Sequence, residues 1–169
     1  MMTCNASKAR PGTLRSPSVG RRPRPWILIA LLWLTGCALH MDAPDSYLEL
    51  ETPVWPYEYQ AASSDDCRLA AREVPNPKEG GLQFWSKAIQ NHMVLAKGYT
   101  LVSRQEAKTK GGWVGEELLF STHSRGLEYY FLLTFFPVGT KIYLAEAGGE
   151  RALVENDLKA LRKAIVTLR

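Results

Sequence analysis

Cysteine is scarce in this sequence, and the little there is cannot brace a fold. Cys4, Cys37 and Cys67 are the three cysteines in 169 residues, which excludes the disulfide frameworks that hold many small secreted domains together. Long apolar runs are missing as well: the longest, Trp26 to Leu34, has nine residues, whereas a permanent membrane span takes about 20. Histidine is limited to His40, His92 and His123, too far apart for H-x-x-x-H or a comparable metal-ligand spacing. No G-x-S-x-G, P-loop or G-x-G-x-x-G occurs; Gly111-Gly112 and Gly148-Gly149 read as turns, and Asp65-Asp66 is too sparse for a calcium loop. The sequence therefore predicts no catalytic residue, no cofactor and no metal site.

What is present begins with an address. Arg21, Arg22 and Arg24 precede the apolar run, and the small residues Thr35 and Gly36 follow it, leading into Cys37. A charged segment followed by about 7–15 apolar residues is the form of a secretory signal. The tetrapeptide Leu34-Thr35-Gly36-Cys37 resembles the lipobox of bacterial lipoprotein precursors. That resemblance implies cleavage between Gly36 and Cys37, with Cys37 becoming an S-diacylglycerol, N-acyl cysteine at the mature N-terminus. Residues 1–18 make a long polar preface, which a start at Val19 through a GUG codon would explain, and Arg21-Arg22 lacks the rest of a twin-arginine signal. Ala38 is not the Asp that tends to retain such proteins in the inner membrane. The resemblance therefore favours the outer membrane, facing the periplasm.

Removing the leader reverses the charge of the molecule. Residues 1–36 hold six of the 21 basic residues and none of the 17 acidic ones, so the formal +4 becomes −2 for residues 37–169. Net charge then offers no argument for nucleic acid. With Cys4 discarded and Cys37 acylated, Cys67 is left without a partner.

The remaining chain alternates strand and helix signals. Residues 37–46 read as a lipidated tether and 47–169 as a single α+β domain. Tyr47 to Glu51 suggests a first strand, broken by Pro53 and Pro56. Trp55, Tyr57 and Tyr59 fall at period two, on one face of an extended segment, as core, sheet edge or a binding face. Cys67 to Val74 is the next strand, with Cys67, Leu69 and Ala71 on one face; it stops at Pro75-Asn76-Pro77. Leu82, Trp85, Ala88, Ile89, His92, Met93 and Ala96 recur at three and four, a helix that Gly98 ends.

Four strands with turn signals follow: Tyr99 to Thr109, Trp113 to Thr122, Leu127 to Phe136 and Thr140 to Ala147. The third is apolar on both faces and is expected at the sheet centre. Leu153, Leu158, Leu161, Ile165 and Leu168 make a final helix, starting between Glu150 and Asn156. The order predicts an antiparallel sheet of about six to seven strands with two amphipathic helices packed on it.

The run from Phe84-Trp85 through Gly98-Tyr99, Gly112 and the strand 127–136 to the last helix resembles the PsbP-like α/β/α sandwich family. That family includes small bacterial envelope lipoproteins of the DcrB-like kind. The resemblance covers residues 46–168 and implies an accessory or binding subunit, with no motif that carries over a particular partner.

Among reactive side chains, Cys67 is the one candidate nucleophile after Cys37, and its strand position favours a buried small hydrophobe. Glu128 and Glu146 suggest structural pairs with Lys141 or Arg125 across hairpins, His92 sits on or beside an apolar stripe, and His123 ends a hairpin. The reading is a membrane-anchored envelope lipoprotein, a non-catalytic binding or accessory module that binds an envelope protein or another envelope component through its sheet or hairpin ends. The alternative is a carrier or weak enzyme with a pocket between helix and sheet.

Overall fold

The alternating apolar residues of seven segments pair into one antiparallel sheet. In a computed structural model, which describes residues 39–169, the strands are β1 (Tyr47–Glu49), β2 (Tyr59–Ser63), β3 (Arg68–Pro75), β4 (Thr100–Lys108), β5 (Val114–Ser124), β6 (Leu127–Val138) and β7 (Lys141–Glu150). Helix α1 (Leu82–Asn91) runs into a π-helical turn (His92–Ala96), and α2 (Arg151–Ile165) closes the chain. The sheet order is β1-β2-β3-β7-β6-β5-β4, so β4 to β7 form a meander and β7 returns to pair with β3. The middle strand is therefore β7, with β6 beside it. The apolar sequence of β6 fits an interior position between β5 and β7 equally well, since composition reports coverage and not order.

Side-chain alternation splits the core into two layers. On one face Leu69, Ala71, Leu119, Leu132, Phe136 and Ala145 pack under α2, which contributes Val154, Leu161, Ala164 and Ile165. On the other, Leu118, Phe120, Leu133, Phe135 and Leu144 meet Met93, Trp85 and Ile89 from α1 and its π-helical turn. Helix α2 starts at Arg151, directly after β7, and Asn156 is an exposed interior residue instead of a cap. Gly115 is required by strand packing: a Cβ there would lie 2.1 Å from the Phe135 carbonyl oxygen and 2.5 Å from Phe136.

The tether expectation fails from Leu39 onward. Leu39 is 6 % exposed and Met41 is fully buried, both in the α2-side core. His40 and Arg169 exchange backbone hydrogen bonds, each N–H donating to the other's carbonyl at 3.0 Å. The Asp42 N–H donates to Thr167 Oγ1 at 2.8 Å, and Arg169 donates to Asp42 Oδ1 at 3.0 Å. Two apolar side chains separated by one residue, too short a signal to register as periodicity, convert the linker into a strap. Gly36 and Cys37, the cleavage and lipidation positions, lie outside the described residues, as does the whole leader. Among the described residues no helix is long and apolar enough to cross a membrane.

Candidate functional site

Helix α1 packs chiefly on β5 and β6 and reaches Leu144 of β7 at its margin; toward β2 and β3 that sheet face opens into a series of hollows. The result is a trough bounded by α1 and its π-helical turn on one side and by residues 50–57 on the other. Beside α1 it holds a cavity of about 580 Å³ floored by Leu133, Leu144, Phe131 and Glu146 and walled by Trp85 and Ile89. A hollow of about 290 Å³ over Ala70 and Gly148 shares Phe131 and Glu146 with it, and one of about 430 Å³ continues past Tyr57 to Trp55.

The floor carries one polar cluster. Register places Ala70, Glu146, Leu133 and Leu118 in a single row across four strands, and Arg72, opposite Leu144, lies diagonal to Glu146. Arg72 donates from Nε at 2.9 Å and from Nη2 at 2.7 Å to Glu146 Oε1. The Tyr57 hydroxyl donates to Oε2 at 2.9 Å. The Arg72 guanidinium lies 5.8 Å from the Tyr57 ring centre. Burial, then the neighbouring Glu146 charge, raises the Tyr57 hydroxyl above its ordinary pKa and keeps it a donor.

The cluster is neutral overall and internally satisfied, so the carboxylate, whose side chain is only 8 % exposed, is held in place as an ion-pair partner. The π-helical turn buries Met93 in the core and brings His92 and Lys97 to the cavity rim. Irregular turns of this kind recur where a helix serves a site.

The trio Trp55, Tyr57 and Tyr59 does not share a face. The Tyr57 N–H bonds back to the Val54 carbonyl at 3.1 Å, so residues 54–57 form a turn and the strand begins only at Tyr59. Trp55 is 90 % exposed, Tyr57 enters the trough, and Tyr59 is buried on the α2 side with its hydroxyl on Glu49.

The anticipated hairpin pairs are also replaced. Glu146 takes Arg72, Glu128 takes Arg151 at 2.8 Å, and Lys141 takes Glu73 at 2.8 Å. Cys67 is buried, and desolvation raises its thiol pKa, leaving it protonated and unreactive at neutral pH. His92 and His123 are exposed, and neither is a hydrogen-bond partner of Cys67, whose N–H donates to Ser63 Oγ. Among the described residues no group of His, Cys, Asp or Glu is placed to hold a metal ion.

Sequence reasoning missed Asn76 and Arg72. Asn76 is 2 % exposed and ties the loop after β3 together, donating to the Gly80 and Gly139 carbonyls and accepting from Gly80 N–H and Trp85 Nε1. Its two flanking prolines mark a stop and conceal a hub. Arg72 had one available signal, a long cation alternating with buried residues inside an interior strand.

No family model and no curated protein matches the chain. Solved structures do. Cyanobacterial PsbP (CyanoP) from Synechocystis sp. PCC 6803 superposes with a TM-score of 0.55 at 9 % identity, over 80 % of this chain and 95 % of that one. LpqN of Mycobacterium tuberculosis, described as involved in cell envelope biogenesis, superposes with a TM-score of 0.54 at 14 % identity, over 77 % and 82 %. At such identities the likeness is one of fold: the chain has a PsbP-like α+β architecture, a seven-stranded antiparallel sheet with helices on both faces.

Proposed function

We propose that this protein is an envelope lipoprotein, anchored through acylated Cys37, that acts as a non-catalytic binding module and receives a segment of another envelope protein in the trough. The observation that carries this reading is the half-covered sheet face. Apolar side chains from three elements converge there around a neutral, satisfied Arg72–Glu146–Tyr57 cluster, the combination of apolar walls and few polar groups that marks a binding site. The cluster has neither a free nucleophile nor an unpaired base. The Leu-Thr-Gly-Cys sequence and the charged, apolar leader support the anchor, and Ala38 supports the outer membrane. The involvement of LpqN in cell envelope biogenesis suits the same compartment.

A carrier of a small amphiphile is the second reading. It is favoured by the position of the roughly 580 Å³ cavity between helix and sheet. A photo-crosslinking residue placed at Phe131 in the full-length protein, activated in intact cells, separates the two. A discrete protein adduct supports the binding module, and a lipid-sized mass increase supports the carrier. The absence of both, alongside normal acylation, removes the trough as the site.

A further inference from the structure

The strap fixes more than the core. Antiparallel register puts the start of β2, the end of β3, the β4–β5 hairpin and the β6–β7 hairpin at one end of the sheet, as the pairs Tyr59↔Ala71, Pro75↔Lys141, Lys108↔Val114 and Val138↔Lys141 show. Leu39 enters at this same end. His40 stacks edge-on against Tyr59 at 5.7 Å and is bonded to Arg169, while the Lys110 N–H donates to the Val166 carbonyl. Cys37 precedes Leu39 by two positions, with Ala38 between them, and an extended chain covers at most about 3.6 Å per residue. An acyl anchor on Cys37 therefore lies within roughly 7 Å of a buried core residue, whatever path residues 37 and 38 take.

The end so placed is unusually apolar at its surface. Phe84, Val114 and Val138 are exposed there, beside the exposed cations Lys78 and Lys110. Lysine beside exposed apolar and aromatic side chains suits the headgroup level of a bilayer.

Resting on the acylation of Cys37, we infer that this end of the sheet, with Phe84 and the β6–β7 hairpin, is held directly against the membrane surface, and that the docked strap is the device that holds it. The partner is the phospholipid bilayer itself. The opposite end, the β5–β6 hairpin, points away from it, because β6 with its 12 residues spans roughly 35 Å at about 3.3 Å per residue. The trough opens along the sheet face between the two ends.

The test uses the full-length protein, processed in cells, purified with its anchor and returned to vesicles of phosphatidylethanolamine and phosphatidylglycerol. Thr140→Cys and Ser124→Cys, both at exposed positions, each carry a fluorophore; buried Cys67 stays unlabelled. With a nitroxide quencher in the lipid headgroups, the label at Thr140 loses most of its emission and the label at Ser124 keeps it. A ten-residue Gly-Ser spacer inserted after Ala38 brings the Thr140 label down to the Ser124 level of quenching. Equal quenching of the two labels in acylated protein overturns the orientation, and a spacer variant that remains quenched overturns the strap as its cause. Intact mass on the same samples reports acylation, so a protein without lipid identifies failure of the anchor instead.

Discussion

Met41 offers the sharpest test of the strap. Its side chain is fully buried among α2-side core residues, and truncation of a buried Met to Ala costs about 2–5 kcal/mol, the spread reflecting how far the site collapses. A middle value near 3 kcal/mol with a urea m-value of about 2 kcal/mol/M moves the unfolding midpoint down by roughly 1.5 M, a large share of the 5–15 kcal/mol of a typical domain. A limit applies: if the strap can detach while the sheet stays folded, the loss cannot exceed the free energy of docking the strap. Deleting residues 39–44 distinguishes the cases. A deletion that costs no more than Met41→Ala shows a separately opening strap, and a larger cost shows one cooperative unit. Urea melts of the polypeptide 38–169 followed by tryptophan emission, with exposed Asp45→Ala as control, supply the numbers. A midpoint shift for Met41→Ala as small as that of the control would refute the docked strap and, with it, the short leash to Cys37.

Breaking the trough cluster should be costly in one way and cheap in another. Glu146→Ala strands Arg72 and Tyr57; with Arg72 30 % exposed, the 3–5 kcal/mol of a fully buried pair is discounted to about 2 kcal/mol. The double replacement Arg72→Leu with Glu146→Leu should recover most of it, and a double variant less stable than Glu146→Ala would contradict this account. Gly115→Ala should destabilise by at least the 1–3 kcal/mol of an overpacked core, since its Cβ meets backbone and not a movable side-chain tip; an unchanged thermal midpoint would show that β5 and β6 separate easily. Arg169 and its hydrogen bond hold Asp42 below the usual carboxylate range. A depressed folded-state pKa stabilises above the unfolded value and is lost as pH falls through the folded one. Hydrogen-exchange protection at His40 and Asp42 should therefore fade below about pH 4 before that of β6, and a uniform loss across the domain would argue otherwise.

Most of the framework was legible because it rests on period and punctuation. Every strand from β3 to β7 and both helices lie within a few residues of where alternation, the three-and-four stripe and the turn at Gly111-Gly112 put them, and Cys67 is buried on the face that alternation assigned. Gly148-Gly149 is no turn but lies inside β7, where a Cβ at Gly149 would meet Cys67. The failures share a cause. Burial of Leu39 and Met41, the Arg72–Glu146 pair and the strand order all depend on contacts distant in sequence: His40 meets Arg169, and Arg72 meets Glu146 only because β7 crosses back to β3. Local pattern has no access to such pairings. The aromatic trio misled for a different reason, since period two was read across Pro53 and Pro56, where the chain turns.

The two sheet faces treat charge in opposite settings, and the contrast constrains what the trough can accept. Under α2, Glu117 is 3 % exposed and is gripped by Arg162 Nε and Nη2 together with Gln105, sealed beneath a helix. In the trough, Glu146 is gripped as firmly by Arg72 and Tyr57, yet it faces the open cavity between α1 and the sheet. An anionic partner seeking Arg72, or a cationic one seeking Glu146, would have to break that pair and leave the displaced charge desolvated, at a cost of several kcal/mol. A partner that lays an apolar side chain or acyl chain over Phe131, Leu133 and Leu144 incurs no such penalty and gains about 25 cal/mol for each Å² it removes from water. If the trough is the binding site proposed above, the chemistry of its floor favours an apolar occupant over a charged one.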